Sequence, residues 1–331
     1  MKNSFLYLLV AGMVFASCAK SETVNSVKEV SFEPASIPAT KAAVATTAFP
    51  DDNVIYVSAS NNKTKFFEGK TFKKDGAVWK NFEGAVQTPL YWPLGGAGSF
   101  DFLAYSTTLD ATAVWGDGDP ATDDDVAGLV KITYPANYAA PAAGVKATQD
   151  DLLYATTSSS SRNNALPIEF KHALAWVNFM VKSNIPVDIK KIELVDVFTE
   201  GVFTIDQTSN TPQVSWTPGT RADRAILTYV DDDTENVYAS VDIDGSVNAL
   251  DVDHAFGDMG ILLPAQTIPN FRITYSTDGV NDLVYVLNSV RSTWENGKKY
   301  TYKFAMTFNE ITLTPSVTLY DESTGMQINL S

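Results

Sequence analysis

Apolar and polar residues alternate one by one along most of this 331-residue chain. In the stretch 300–309, Tyr300, Tyr302, Phe304, Met306 and Phe308 fall on one side, and Thr301, Lys303, Ala305, Thr307 and Asn309 on the other. The stretch 271–276 sets Phe271, Ile273 and Tyr275 against Arg272, Thr274 and Ser276, and 173–182 gathers Ala175, Val177, Phe179 and Val181 on one face. Successive side chains of a strand point to opposite faces, so this period of two predicts half-buried β-strands. Further strands are expected at 53–60, 99–106, 129–135 and 239–245. Gly, Asp, Asn, Ser and Pro fill the intervals, and helical spacing never persists beyond about two turns. The pattern predicts an all-β protein built of antiparallel β-sandwiches, each sheet with one wet face. Two interruptions stand out, the polar stretch 156–164 and the break at Pro186 within 182–191. A boundary near 183 would divide the chain into halves of similar size.

The N-terminus departs from the alternation. Lys2 is followed by an almost wholly apolar run from Phe5 to Phe15, then Ala16, Ser17 and Cys18. A run of roughly a dozen residues is too short to span a bilayer, which takes about 20, and has the shape of an export signal. Phe15-Ala16-Ser17-Cys18 resembles the lipobox of bacterial lipoproteins, which implies removal of residues 1–17 and acylation of Cys18. Residues 19–29 are polar and read as a tether. The segment 29–52 then offers a short strand carrying Val30 and Phe32, followed by an accessible stretch of Ala, Thr and Pro that includes Ile37.

Composition narrows the chemistry. Cys18 is the only cysteine, so no disulfide forms within the chain and stability must come from core burial, for which 45% hydrophobic residues suffice. A net charge of −15 opposes nucleic-acid binding and suits a solvated protein on a cell exterior. The two histidines, His172 and His254, are far apart in sequence, and no metal-ligand pair or nucleophile elbow occurs. His172, between two apolar strands, is expected to be buried and hydrogen-bonded rather than catalytic. The glycines of 93–100 lack a phosphate-loop lysine and read as a turn. Acidic runs at 117–125, 229–236 and 251–258 read as solvated loops before calcium sites, since none has the twelve-residue loop spacing. With 39 acidic residues, a facing carboxylate pair for glycoside cleavage stays open. Trp79, Trp92, Trp115, Trp176, Trp216 and Trp294 read as core caps, with a sugar-stacking platform as the other reading. No cofactor and no metal are expected.

Several short blocks, in order, resemble the fimbrillin family, the subunits of type V pili. They are the lipobox, the stretch 29–42 with its short strand and Lys41-Ala42, the stretch 151–157, the block Phe170-x-His172-Ala173-Leu174 between apolar strands, and the closing stretch from Trp294 and Gly297 through Tyr300 and Tyr302. The resemblance implies two transthyretin-like sandwiches in tandem: a lipidated propeptide at 18–41, an N-terminal domain at 42–183 and a C-terminal domain at 184–331. It implies a non-enzymatic pilin, held in the outer membrane by the lipid on Cys18 until a trypsin-like protease cuts between Lys41 and Ala42. Val30 and Phe32 would plug a groove that a neighbouring pilin fills after the cut. The donor strand would carry Val317, Leu319, Met326, Ile328 and Leu330. The family commonly has arginine at the cut, and Lys41 departs from it. A pilus anchor that keeps its lipid, or a monomeric surface lipoprotein binding a glycan or host ligand, are the alternatives.

Overall fold

A computed structural model of the chain describes residues 28–35, 53–93, 98–107, 111–116, 128–134, 151–162, 165–209, 211–225, 227–230, 236–238, 240–308, 310–319 and 327–329. These residues form 25 strands and no helix, so the all-β expectation holds.

The N-terminal half is built on one large sheet. Its strands are β1 (Ser31–Ala35), β2 (Ile55–Asn61), β3 (Thr64–Asp75), β4 (Val78–Glu83), β5 (Val86–Gln87), β6 (Phe100–Ser106), β9 (Leu153–Ser159), β10 (Leu166–Glu169) and β11 (Lys171–His172). The spatial order is β10-β1-β4-β3-β2-β6-β9-β11, with β5 beside β4. Because β10 at one end also touches β9 near the other, the sheet curls round an aromatic core that includes Phe32, Phe72, Phe100, Phe102 and Trp92. Strand β6 is buried on both faces. Phe100, Phe102 and Ala104 point into this core, while Leu103 and Tyr105 point out of it into a second. A four-stranded sheet covers that second face, in the order β15 (Gln213–Pro218), β14 (Gly201–Asp206), β8 (Leu129–Tyr134) and β7 (Thr112–Trp115).

The C-terminal half is a β-sandwich. One sheet has the order β20 (His254–Pro264), β12 (Leu174–Ser183), β23 (Lys298–Met306), β24 (Ile311–Leu319) and β25 (Gln327–Asn329). The other runs β16 (Arg221–Ala225), β13 (Val187–Phe198), β21 (Thr267–Ser276) and β22 (Leu283–Thr293), with β19 (Val241–Ile243) beside β13. Between them Val177, Phe179, Ile192, Phe271, Tyr302 and Phe304 form the third core. A small hairpin pairs β17 (Leu227–Val230) with β18 (Asn236–Tyr238).

The structure changes several expectations. The sandwiches are not purely antiparallel: β1 runs parallel to β10, and β12 parallel to β23. Phe308 does not continue the buried face of Tyr300, Tyr302, Phe304 and Met306; β23 ends at Met306 and Phe308 is 84% exposed. The polar stretch 156–164 does not begin as a loop, because Thr156–Ser159 complete β9 and pair with Phe100–Leu103. Hydroxyl side chains satisfy a strand as well as a loop when the neighbouring backbone is in register. The break at Pro186 falls between β12 and β13. The seam placed at 183, however, lies at the end of a strand whose sheet partners are both C-terminal to it.

Candidate functional site: the inserted first strand

The segment that carries Val30 and Phe32 lies inside a sheet rather than on it. Phe32 pairs with Leu166 of β10 on one side and with Trp79 of β4 on the other. Before the strand, the Val30 amide donates to Leu90 O at 2.6 Å and the Trp92 amide donates to Lys28 O at 2.9 Å. Both side chains are fully buried. The Phe32 ring meets Phe72 edge-on at 4.7 Å and Phe102 at 5.6 Å, a geometry that adds to simple area burial. Beyond Phe32, among the described residues, only β10 accompanies the strand, through Pro34↔Ile168 and Ala35↔Glu169. A proline, which has no N–H to donate, is tolerated there because one flank is free.

Polar groups close the upper side of the slot. Gln87 Nε2 donates to Glu29 Oε1 at 3.3 Å, and Lys80, opposite Ser31, donates to Asp75 Oδ2 at 2.7 Å. That hydrogen bond, with further attraction from Asp75 and Glu29, holds Lys80 above the usual lysine range against the cost of its partial desolvation. Removing β1 would therefore bare aromatic core, a row of β10 and β4 backbone groups, and a charged rim. The chemistry on offer is strand capture.

At the other end of the chain, β24 pairs with β23 over nine residues and β25 pairs with β24 through Ser316↔Asn329, Val317↔Ile328 and Thr318↔Gln327. Val317 is 6% exposed and belongs to its own domain's core. Leu319 and Ile328 lie in the backbone of this hairpin. Cys18, Lys41, Ala42, Met326, Leu330, Ile37 and the acidic run 117–125 lie outside the described residues.

The block Phe170-x-His172-Ala173-Leu174 ties the two halves together. His172 is buried and its Nδ1 is hydrogen-bonded to Asp151 Oδ2. The Ala173 amide donates to Leu152 O at 2.8 Å, the Gly297 amide donates to Leu174 O at 3.0 Å, and Trp216 Nε1 donates to Ala173 O at 2.9 Å. Gly297 sits at φ +68°, a conformation that favours glycine. Trp294 Nε1 donates to the Tyr302 hydroxyl at 2.9 Å, and the Tyr300 hydroxyl accepts from the Glu295 amide, so the closing motif fixes this corner. Burial pushes the Tyr300 hydroxyl up to about 12.

The tryptophans act as core. Trp79, Trp92 and Trp294 are buried, and Trp115, Trp176 and Trp216 are half-buried, so no exposed tryptophan is available for a stacking platform. Lys299 Nζ covers the Trp176 ring at 4.0 Å, and Trp216 packs on Phe203 and Tyr134. Among the described residues no group of three His, Cys, Asp or Glu is placed to hold a metal ion.

Sequence reasoning missed Asp151, the role of β10 and the return of the β14–β15 hairpin to the N-terminal half. The alternation Leu166, Ile168, Phe170 was a signal for β10. Nothing local marks Asp151.

Across residues 40–320 the chain matches the family model described as fimbrillin-like. This chain belongs to that family. It is a structural, non-enzymatic surface protein of the fimbrial kind. Its fold is similar to that of a fimbrial protein from Bacteroides vulgatus, at 14% identity and TM-score 0.48, covering 88% of this chain and 99% of that one. It is similar in the same measure to a candidate cell adhesion protein from Bacteroides uniformis (14%, TM-score 0.48, 88% and 99%) and to one from Bacteroides ovatus (14%, TM-score 0.47, 89% and 98%). No curated protein matches the chain.

Proposed function

We propose that this fimbrillin-like chain is a type V pilin exported as a lipoprotein through Cys18 and assembled by strand exchange after cleavage between Lys41 and Ala42. The observation that carries the reading is the placement of β1: it fills an interior slot between β4 and β10, yet it is joined to the rest of its sheet through a segment containing the proposed cut. Its loss leaves an edge that a neighbour's strand satisfies, and head-to-tail use of unlike surfaces builds a fibre rather than a closed ring. A donor must run parallel to β10 and present apolar residues two apart, as Val30 and Phe32 do. Met326, Ile328 and Leu330 keep that spacing at the chain's end. Val317 is committed to its own core and β24 is paired along its length, so the exchanged piece is the terminal segment, with β24 and Leu319 as its base. Lys41, in place of arginine, favours the anchor as second reading: a subunit left uncut keeps its lipid and its own β1. The tandem transthyretin-like arrangement belongs to the same proposal, with the seam moved to about Ala173, where the strand partners change.

Limited trypsin digestion tests it. Lys41 should be among the first sites cut, and release of residues 19–41 should yield oligomer ladders on mild gels. A confirmed cut and release with monomer persisting at high concentration would refute polymerisation.

A further inference from the structure

Strand β22 is the outer strand of its sheet, paired with β21 through Leu283↔Tyr275 to Thr293↔Thr267 and, among the described residues, with nothing on its other side. Leu283 (44%), Val284 (60%), Tyr285 (37%) and Val286 (41%) are all exposed. Consecutive residues point to opposite faces, so both faces of the edge are apolar. Isolated soluble proteins blunt such an edge with lysine, proline or a bulge. Here the run Leu283–Val290 contains no charge and no proline; the pairing with β21 is regular from Leu283 to Asn288, and the one bulge lies beyond that, between Asn288 and Ser292.

We propose that this edge is an interface for β22 of a second copy, joined antiparallel about a two-fold axis near Val286. Charge singles out this occupant. At a net charge of −15 two copies repel across most of their surface. Along this run no acid meets an acid. Asp282, just before the run, is ion-paired with Lys190 of its own chain at 2.7 Å, and the sequence places Arg291 just after the run, so antiparallel pairing sets a compensated acidic end of each copy toward the basic end of the other. A parallel arrangement would stack like charges. Apolar residues on both faces then meet their own kind, giving a ten-stranded sheet from two five-stranded ones. An isologous contact closes on itself and cannot extend a fibre, so it joins copies side by side. It requires neither cleavage nor strand exchange and stands whether or not those occur.

The test is sedimentation of the uncut chain over a range of concentrations, with β1 in place. The wild type should show a reversible monomer–dimer equilibrium, and backbone hydrogen exchange in Leu283–Leu287 should slow as concentration rises. Val286→Lys sets two lysines against each other at the axis and should weaken association by about tenfold or more, with unchanged melting of the monomer because the site is exposed. Val247→Lys, at another exposed site, should leave the dimer intact. A wild type that stays monomeric throughout, or a dimer that survives the double change Val284→Lys and Val286→Lys, would overturn the proposal.

Discussion

Phe32 shows how one side chain can hold an otherwise removable segment. Its ring is fully buried against Phe72 and Phe102, while Pro34 two residues on has, among the described residues, a strand neighbour on one flank only. Phe32→Ala should cost about 3–5 kcal/mol in chemical denaturation, the range for deleting a core aromatic. It should also speed loss of the first strand after a cut. The same logic applies to His172 and Asp151, which are buried together. Leaving one partner of a buried hydrogen bond unsatisfied costs about 1–3 kcal/mol, so His172→Gln or Asp151→Ala should lower the melting temperature. Loss of a binding activity at unchanged stability would point instead to a functional histidine.

Two exposed aspartates give the acid response a sign. Asp244 accepts hydrogen bonds from the Ser246 hydroxyl and from the Ser246 and Val247 amides, which hold its carboxyl down at about 2. Asp278 accepts from the Asn281 and Val280 amides and is held well below the usual carboxylate range. Both folded values lie below the unfolded 3.8, so the stabilisation is complete above that pH and is lost as pH falls toward about 2. Asp244→Asn and Asp278→Asn should flatten this acid limb in a pH series of melting temperatures. An unchanged limb would mean that these loop caps do not contribute.

At the level of elements, the C-terminal hairpin is asymmetric. β24 is paired with β23 throughout, whereas β25 is held by three residue pairs at the outside of the sheet. Deleting residues 322–331 should leave monomer melting nearly unchanged and stop fibre growth after cleavage. A large drop in melting temperature would make β25 a structural arm of its own domain, and fibres from the truncated chain would remove it as donor. The alternation in this segment was legible in the sequence, because a period of two survives any sheet topology. Which strand lies beside which was not. Leu166 and Ile168 alternate as plainly as many other pairs, and nothing in their spacing says that they receive Phe32 from more than 130 residues away.

Across the whole molecule, the halves are interlocked. The hairpin β14–β15 leaves the C-terminal half to pair with β8, and the second core contains Leu103, Tyr105 and Ile132 beside Leu174, Phe203 and Leu262. Heat should therefore unfold the protein in one calorimetric transition, with Phe203→Ala lowering it as a whole by about 3–5 kcal/mol. Two separated transitions in the wild type would show that the shared core does not couple the halves.

Local patterning along the chain settles the local geometry: most strand positions and inward faces, the absence of helical spacing, the interruption at Pro186 and the buried part played by His172. These follow from steric alternation and solvent transfer, which act within a few residues. It also determined the family resemblance, because the Phe170–Leu174 block and the Trp294–Tyr302 corner are chain-local patterns. Long-range pairing is what sets β1 in the interior of a sheet, β12 among the C-terminal strands and Asp151 against His172, and what leaves β22, among the described residues, with an open edge. Each of these depends on backbone hydrogen bonds between residues distant in sequence. Any backbone N–H can pair with any C=O, so the choice among partners rests on how all the apolar faces are buried together.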